Sequence, residues 1–593
     1  MAAAAAATHQ RFAVKFRSLN LRSRLRDWRW VWAGTRGFRA NLLTLSVVGA
    51  VASLFGVAFA ALTRLLIDRA SHAETGGLLA PLLGLGALVV FQVASQAAIN
   101  VFSTRLNKRV ENRLRERIFA RLQAASWQEL HRRHSGDWVT RLTSDVTCMA
   151  GGITEVLPDV IALSVRFAAA FAYLTYLDPV MGGVALGAGV LFVLPGRVFA
   201  GRLCQLNGET RDCEGRIRSF LQEALRRNTV IKAFGAEEHF SRLLGVLHGE
   251  SLRLTNRQAW VSTVPGAGLG LGYWTGYMLS LSVGVIRMHA GQATFGMLTA
   301  FLQLIGQVQG PFQGLTRSFS RLIAMHASLK RLLAMERLPS ELPEAAVPSR
   351  SGRVAGATAL VAHGVELEFR GVSYSYDHKP VLNGVTFTVR AGEKVALAGD
   401  SGEGKTTIMR LLLGLIQPES GEVRIREVCS GGSTHHPSRS ARRFFAYVPQ
   451  GNSLVSGTVG GNILLGRLDR TGPADLTLVQ HWAGAEQLLA ELPGGLEARV
   501  QENGDGLSEG QAQRIALMRA LVRESPVLLL DEATSSLDLV AESAVLSFIQ
   551  GLGRNRTVIL VSHRAEVLAA CDRILRLDDG KIVEETSPEE SIK

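Results

Sequence analysis

The chain has 593 residues, more than one compact core usually holds, so two or more domains are expected. Hydrophobic residues make up 47% of it and charged residues only 20%, and the apolar excess lies in long runs before about Met335. This asymmetry predicts a membrane half followed by a water-soluble half. The formal net charge is +14, and many of the basic residues lie beside the apolar runs. This position favours contact with a membrane surface and argues against nucleic acid as a partner.

Residues 1–40 are interpreted as a basic arm, because they contain nine arginines and lysines and a single acid, Asp27. Trp28, Trp30 and Trp32 predict an amphipathic segment in the lipid headgroups. An arginine-rich presequence is the alternative, whereas a secretory signal peptide does not fit. The five cysteines match no zinc spacing and are interpreted as unpaired thiols in a reducing compartment.

Six segments before Met335 are apolar for about the 20 residues that a membrane-spanning helix needs. Short links alternate with two long ones, and the first long link is rich in arginine. Because basic residues accumulate on the cytoplasmic side, the long links and both chain ends are predicted to lie in the cytoplasm. The six predicted spans are Leu42–Leu66, Leu79–Val101, Val156–Leu177, Val180–Ala200, Val261–Val285 and Phe295–Phe312.

Prolines interrupt the chain after the last span, and short β-rich runs then alternate with helical stretches. The fold class predicted is a multi-domain membrane protein, in which a six-helix transmembrane domain precedes an α/β P-loop NTPase domain with a largely parallel sheet. The predicted boundaries are 1–40 for the basic arm, 41–335 for the transmembrane domain, 336–364 for the linker and 365–593 for the nucleotide-binding domain.

A phosphate-binding loop follows the apolar strand Val395–Ala398 and precedes the helical run Ile408–Leu415. Its glycines let backbone N–H groups approach phosphates at a helix N-terminus. Lys405 is predicted to reach the β- and γ-phosphates of ATP, and the Thr406 hydroxyl to bind Mg²⁺. The predicted nucleotide-binding residues of the loop are Gly399, Asp400, Ser401, Gly402, Glu403, Gly404, Lys405, Thr406 and Thr407.

A second apolar strand, Val527–Leu530, ends in two acids. Burial of four apolar residues leaves the acids at the tip of the strand. Asp531 is predicted to help hold Mg²⁺, and Glu532 to act as the general base that polarises the attacking water. The competing interpretation is two surface acids at a strand end.

The order of these motifs resembles that of the ATP-binding cassette family. Leu507-Ser-Glu-Gly-Gln511 is similar to its signature motif, and Ser536-Leu-Asp538 to its D-loop. The resemblance implies ATP and Mg²⁺ as cofactors. It implies catalytic or metal roles for Gln450 and a catalytic role for His563, and it places Tyr376 as the aromatic residue that stacks on adenine. It also implies that Ser508, Gly510 and Gln511 contact the nucleotide of an opposing domain.

The signature departs from the family pattern, because Glu509 stands where glycine is usual. We expect a working motif, since Ser508 and Gly510 are intact. In the family, ATP is held between two such domains, so this chain needs a second copy of itself or a homologous half-transporter as partner. Both a homodimer and an obligate heterodimer satisfy that requirement.

The membrane half resembles the exporter type of the family, which implies ATP-driven export or flipping across a bacterial plasma (inner) membrane. Coupling helices are predicted near Trp127–His134 and Cys213–Arg218. The cargo remains open among lipid, drug, peptide and glycoconjugate. A soluble cassette ATPase and an importer are the alternatives, and six fused spans disfavour both.

Polar residues within the predicted spans are candidates for the transport path. Arg166 is hypothesised to face that path and to pair with Asp159, seven residues earlier on the same face. Bonding between helices is the alternative for the amides, and close helix packing is predicted for the glycines of the fifth span. The amides are Gln92, Gln96, Asn100, Gln303 and Gln307; the glycines are Gly266, Gly268, Gly270, Gly272 and Gly276.

Overall fold

The computed structural model describes residues 30–32, 34–71, 77–132, 135–341, 364–400, 402–428, 433–467, 485–537, 539–552 and 556–586. These residues form two compact units. The first holds the helices up to Gln123 and from residue 135 to Arg337. The second holds Ala124–Arg132 and the residues from Leu338 onward. Most of the predicted basic arm and linker lies outside the described residues.

The first unit consists of helices, and each of the six predicted spans lies within helical structure. Capping explains two helix starts: Asp178 accepts a hydrogen bond from Val180 N at 2.9 Å, and Thr294 accepts one from Met297 N at 3.1 Å. The helices are α1 Arg39–Ser71, α2 Leu79–Gln123, α4 Ser135–Thr140, α5 Val146–Gly151, α6 Leu157–Leu177, α7 Pro179–Arg226, α8 Asn228–Ala233, α9 Glu237–His289 and α10 Phe295–Glu336; π-helical turns Arg141–Asp145 and Gly152–Val156 flank α5.

By length and composition, four helical stretches of the described chain can cross a membrane: Arg36–Ser71, Leu79–Gln123, Gly136–Leu177 and Glu237–His289. The predicted sixth span is helical, within α10, but does not reach the same apolarity. The predicted fourth span is helical, within α7, and the side chains of its residues 188–200 lie outside the described part of the chain. In α10 the cause is a set of amide side chains, Gln303, Gln307 and Gln309. A helical membrane domain is therefore observed, and the count of six spans stays a prediction.

A short helix, α3 (Trp127–His131), belongs to the second unit. The two residues before this helix contact the chain after α10: Ser126 N donates a hydrogen bond to Pro339 O at 3.0 Å, and Ala125 forms a β-bridge with Ser340. The helix falls within the predicted coupling segment Trp127–His134. The second coupling prediction, Cys213–Arg218, is wrong, because α7 runs without a break through those residues. The nearest short helix is α8, which follows the end of α7 at Arg226.

Three sheets contribute to the rest of the second unit. The first is antiparallel in the order β2-β1-β4-β5, and the second has the order β12-β11-β3-β10-β9-β6 and is parallel except for β12. The third is the antiparallel pair β7-β8. The strands are β1 Val365–Tyr376, β2 Lys379–Val389, β3 Lys394–Ala398, β4 Ser420–Glu427, β5 Thr434–His435, β6 Phe445–Val448, β7 Gly457–Thr458, β8 Arg499–Val500, β9 Val527–Asp531, β10 Thr557–Val561, β11 Arg573–Asp578 and β12 Lys581–Thr586.

The six-stranded sheet separates two apolar cores, because alternate residues of each strand point to opposite faces. In β9, Val527 and Leu529 face one core, whereas Leu528 and Leu530 face the other. The first core is covered by α11 (Lys405–Leu412) and by the antiparallel sheet. The second is covered by α14 (Glu509–Val522) and, with it, by α12 Val459–Leu464, α13 Ala485–Glu491, α15 Leu539–Gly551 and α16 Ala565–Ala569. The predicted α/β domain with a largely parallel sheet is confirmed.

Candidate nucleotide-binding site

Four adjacent parallel strands, β3, β10, β9 and β6, end at the same edge of the sheet. The phosphate loop follows β3, and His563 follows β10. Asp531 and Glu532 end β9, and Gln450 follows β6. Residues that are 164 positions apart in the chain, from Gly399 to His563, therefore converge at one edge. Ligands of such α/β sheets bind outside the carboxyl ends of the strands.

The phosphate loop turns on glycines with left-handed backbone, Gly402 at φ 97° and Gly404 at φ 105°. At Gly404 a Cβ would also lie 2.7 Å from Leu382 Cδ2, so both conformation and space require glycine there. Lys405 is buried, and its ammonium donates hydrogen bonds to the backbone oxygens of Gly399 and Asp400, the latter at 2.7 Å. The loop is thus folded around its own lysine, with Gly404 as the residue that starts α11.

Asp531 is a buried carboxyl group at the end of β9. Burial raises its pKa above the usual range, as does the charge of Glu532, while hydrogen bonds from the hydroxyls of Thr406 and Tyr447 act in the opposite direction. The Tyr447 hydroxyl lies 3.4 Å from Asp531 Oδ2. Burial, together with the Asp531 charge, raises the pKa of Tyr447 as well, so this phenol stays protonated and donates. Thr406 and Asp531, two predicted metal ligands, are therefore in contact.

Glu532 has a left-handed backbone, with φ at 50°. For a residue other than glycine this conformation costs about 1–3 kcal/mol and tends to occur at functional sites. It is held by a hydrogen bond from Glu532 N to Val561 O at 3.2 Å, and by one from Gln513 Nε2 to Glu532 O at 3.1 Å. The side chain reaches Gln450, whose Nε2 donates to Glu532 Oε2 at 2.7 Å. The structure therefore brings together the predicted base and the predicted glutamine.

The signature residues start α14 and form a capping box. Ser508 Oγ accepts from Gln511 N at 3.2 Å, and Gln511 Oε1 accepts from Ser508 N at 3.0 Å. A Cβ at Gly510 would lie 2.9 Å from Ser536 O, so this glycine allows the close approach of that backbone. Glu509 occupies the first turn, where a carboxylate favours the helix dipole. The motif belongs to the core opposite that of α11.

Tyr376 ends β1, and its hydroxyl accepts a hydrogen bond from Arg410 Nη1 at 2.9 Å. The chain then reverses through Asp377 and His378, both with positive φ, into β2. Arg410, Tyr447 and Gln513 were not predicted as site residues, because each contacts a residue far away in the chain and no local pattern marks it. His563 is exposed beyond β10.

Other predicted nucleotide-binding residues remain to be placed. Thr407 is buried in α11, and Glu403 has a buried Oε2 without a hydrogen-bond donor among the described residues. Ser401, and Asp538 of the predicted D-loop, lie outside the described residues.

The donors at the strand ends fit a magnesium nucleotide. Mg²⁺ prefers oxygen and is held in nucleotide sites by one or two protein oxygens together with phosphates. Thr406 and Asp531 offer such oxygens, and Gln450 forms a hydrogen bond with Glu532, the residue that follows Asp531. No group of three or more potential metal-binding His, Cys, Asp or Glu residues occurs in the described part of the chain. The loop glycines and Lys405 supply the corresponding phosphate cradle.

The membrane helices change two predictions. Arg166 Nε is buried and finds no acceptor in the described chain, so the proposed pairing with Asp159 is not made through this atom; Asp159 lies instead in the field of Arg321 and Glu155. Close packing is also not observed at three glycines of α9, because a Cβ there would meet nothing within 4 Å in the described part of the chain. These are Gly266, Gly268 and Gly270.

The amides behave differently in the two helices that carry them. Gln307 in α10 packs so closely against Gly56 of α1 that a Cβ at Gly56 would lie 2.4 Å from its Oε1. Gln92, Gln96 and Asn100 of α2 are exposed, and Gln96 Nε2 donates to Asn100 Oδ1 at 3.1 Å. Gln307 therefore packs against a neighbouring helix, but its Oε1 accepts no hydrogen bond from the described residues, so the alternative of bonding between helices is not observed for this atom. The exposed amides remain candidates for a path or a partner.

A helical membrane unit on the same chain as a P-loop ATPase unit defines an ATP-driven membrane transporter. Residues 382–535 match the family described as ABC transporter, and residues 39–312 match the ABC transporter transmembrane region. The chain belongs to the ABC transporter family, with the exporter-type fusion of one transmembrane region and one ATPase domain, and its ATPase is coupled to transport.

Named relatives extend along most of the chain. An ATP-dependent lipid A-core flippase of Chromobacterium violaceum is 30% identical over 565 residues, covering 92% of this chain and 91% of the relative. The flippase of the same name from Albidiferax ferrireducens is 29% identical, with 92% and 91% covered. In fold, the chain is similar to a bacterial Atm1-family ABC exporter with ATP bound, at a TM-score of 0.78 and 24% identity, with 93% and 96% covered.

Proposed function

We propose that this chain is one half of a homodimeric exporter, with six spans per chain, that moves an amphipathic lipid-class substrate across a bacterial inner membrane. The observation that carries the ATPase part is the contact of Glu532 with Gln450 beside the Asp531–Thr406 pair. The fusion of this edge to apolar helices on one chain supports its use in transport. The proposed domain limits are those predicted from the sequence, with the nucleotide-binding domain in the cytoplasm.

In the proposed reaction each residue has one task. The N–H groups of the loop from Gly399 to Thr407 and the Lys405 ammonium bind the triphosphate. Thr406, Asp531 and Gln450 would hold Mg²⁺, which would neutralise negative charge on the phosphates. Glu532 Oε accepts a proton from the attacking water, oriented by Gln450, and His563 contacts the γ-phosphate side. Tyr376 stacks on adenine.

The second wall of the site is proposed to come from another chain. Ser508 and Gly510 lie in the opposite layer from the phosphate loop of their own domain. A second copy, turned by a two-fold axis, would present them to the loop, and the reverse contact would form at the same time. Each copy carries all the proposed catalytic residues, so a homodimer has two equivalent sites.

The substrate class rests on two observations. The two relatives described above are named ATP-dependent lipid A-core flippases. In this chain Arg166 on α6 has a buried Nε without an acceptor among the described residues, which is a costly state for a polar group unless something else binds it. An anionic headgroup is a suitable acceptor for a guanidinium.

The test uses the full chain purified alone and reconstituted in liposomes. Mg²⁺-dependent ATP hydrolysis by this single chain is expected, with stimulation by an anionic glycolipid or phospholipid from a panel that also holds a hydrophobic cation and a peptide. Hydrolysis only after a second, different half-transporter is added would replace the homodimer by a heterodimer. Stimulation by the cation or the peptide alone would exclude the lipid class.

A further inference from the structure

Arg410 occupies the face of α11 that also carries the phosphate-loop threonine. It follows Thr406 by four residues, so the two side chains lie one turn apart on the same side of the helix. Its Nη1 donates to the Tyr376 hydroxyl at 2.9 Å. The guanidinium thus joins the helix that would bind phosphate to the aromatic ring that would bind adenine.

The same guanidinium contacts the short helix α3. Its central carbon lies 5.0 Å from the centre of the Trp127 ring, within the range of a cation–π contact. Trp127 packs against the apolar core that includes α11, and its ring stacks on His131 at 3.9 Å. A planar guanidinium can donate to a hydroxyl at its edge while its face covers an indole, which a lysine ammonium cannot reproduce.

A second connection links α3 to the same tyrosine. Gln128 Nε2 donates to the Tyr374 hydroxyl at 3.3 Å. The Tyr374 ring meets the Tyr376 ring edge-to-face, with centroids 4.9 Å apart. Two successive residues of α3, Trp127 and Gln128, are therefore tied to Tyr376, one through Arg410 and the other through Tyr374. All these residues belong to one compact unit.

We propose that Arg410 is a positioning residue for ATP: it holds the Tyr376 ring for adenine and makes that hold depend on the seating of Trp127. Nucleotide affinity and the position of α3 are then linked through a single side chain. By reciprocity, ATP that stacks on Tyr376 favours the position of α3 in which Trp127 contacts Arg410. This inference rests on the proposed role of Tyr376 in adenine stacking.

The test compares ATP with inorganic tripolyphosphate, which has the phosphates and lacks the adenine. Equilibrium binding of both is measured on the full-length dimer carrying Glu532→Gln, which prevents turnover. Arg410→Ala should weaken ATP about fivefold to tenfold, as expected for the loss of one charged hydrogen bond and one cation–π contact. Tripolyphosphate should lose much less affinity, because the contacts of Arg410 with Tyr376 and Trp127 lie on the adenine side, although its charge also acts on Asp531. Arg410→Lys should restore only part of the ATP affinity.

Two further variants keep the inference falsifiable if Arg410→Ala folds poorly. Tyr376→Phe removes the hydroxyl and keeps the ring, and should weaken ATP in the same selective way. Trp127→Ala, which removes the indole of α3, should do so too. The matched control is Arg443→Ala, because Arg443 also lies over an aromatic ring, that of Phe444 at 4.9 Å, in the same domain; it should change neither affinity.

Each other outcome overturns part of the inference. Equal weakening of ATP and tripolyphosphate by Arg410→Ala would mean that Arg410 only supports the phosphate loop. Unchanged ATP binding in Arg410→Ala and Tyr376→Phe would dismiss the positioning role. A normal ATP affinity in Trp127→Ala would remove the link to α3. Failure of the proposed function would give a different result. In that case the unsubstituted chain would not hydrolyse ATP, and the Glu532→Gln variant would not bind it.

Discussion

Gln450 Nε2 donates a hydrogen bond to Glu532 Oε2 at 2.7 Å, across 82 residues of chain. The contact exists because β6 and β9 are parallel neighbours and both side chains emerge where their strands end. Glu532 is further aimed by its left-handed backbone, which two backbone-directed hydrogen bonds hold in place. The carboxylate is thus oriented before any substrate water arrives, which is the arrangement a general base requires.

Glu532→Gln should keep ATP binding and lower hydrolysis about 10²- to 10⁴-fold, the usual contribution of a general base. The amide has nearly the same shape and cannot take a proton from water. Turnover of Mg-ATP and equilibrium binding of ATP by the purified dimer measure the two effects. Glu486→Gln, on the exposed side of α13, is the control and should behave as the unsubstituted chain. Substantial hydrolysis by Glu532→Gln would assign the base elsewhere.

Asp531→Asn should raise the melting temperature at neutral pH in the absence of nucleotide, although it removes a proposed metal ligand. Burial raises the pKa of Asp531, so the folded protein binds this proton more tightly than the unfolded chain does. The stabilising contribution is therefore fully present below the pKa that Asp531 has in the unfolded chain, about 3.8, and is lost as pH rises through the folded pKa. The amide variant escapes that loss.

Thermal unfolding of both proteins from pH 4 to pH 8 measures the difference, which should shrink toward the acid end. Asp579→Asn, in an exposed turn, should show no such trend. A melting temperature for Asp531→Asn below that of the unsubstituted chain at pH 7.5 would contradict the raised pKa. Mg²⁺-dependent hydrolysis by Asp531→Asn should be lost in parallel.

Gly404→Ala and Gly402→Ala form a matched pair in the phosphate loop. Both residues have left-handed φ, which costs an alanine about 1–3 kcal/mol. Only at Gly404 would the new Cβ collide, with Leu382 Cδ2 at 2.7 Å, whereas at Gly402 nothing lies within 4 Å. Gly404→Ala should therefore lose more ATP affinity and more thermal stability than Gly402→Ala. Equal losses in both variants would show that conformation alone, and not the contact with Leu382, demands glycine.

Arg166→Leu should reduce transport of the substrate that stimulates the reconstituted protein, while basal ATP hydrolysis persists. The reason is that Arg166 Nε is buried and finds no acceptor in the part of the chain that the structure describes. Arg166 lies in α6, more than 200 residues before the phosphate loop, so its loss should leave the ATPase site intact. Arg166→Lys keeps the charge and should retain part of the transport. Flux into liposomes and hydrolysis are measured on the same preparation. Transport by Arg166→Leu equal to that of the unsubstituted chain would remove Arg166 from the path.

Most of the predicted site residues belong to local motifs, which are recognisable from their sequence and from their order in the chain. The phosphate loop is contiguous, so its glycines, Lys405 and Thr406 are visible without a fold, and the strand before it fixes its context. The acids after β9 are visible for the same reason. The apolar runs likewise predict helices, because a membrane helix satisfies its own backbone within a single segment.

Predictions failed where the decisive information was not local. The segment Cys213–Arg218 looks like a possible break in a long link, but nothing in it stops a helix, and α7 continues to Arg226. The glycines of α9 suggested close packing, yet which face of a helix meets a neighbour depends on the neighbours. Arg166 and Asp159 share a helical face by spacing, but Arg166 Nε does not make the pairing, and the charges that act on Asp159 are those of Arg321 on α10 and of Glu155.

By itself the sequence determined the class of protein, the nucleotide loop and the acids, since each depends on residues close together in the chain. Only the tertiary structure decided which side chains meet: Gln450 with Glu532, Thr406 with Asp531, and Arg410 with both Tyr376 and Trp127. The physical reason is that these contacts follow from strand order and from the docking of α3, and both are properties of packing that no short stretch of chain encodes.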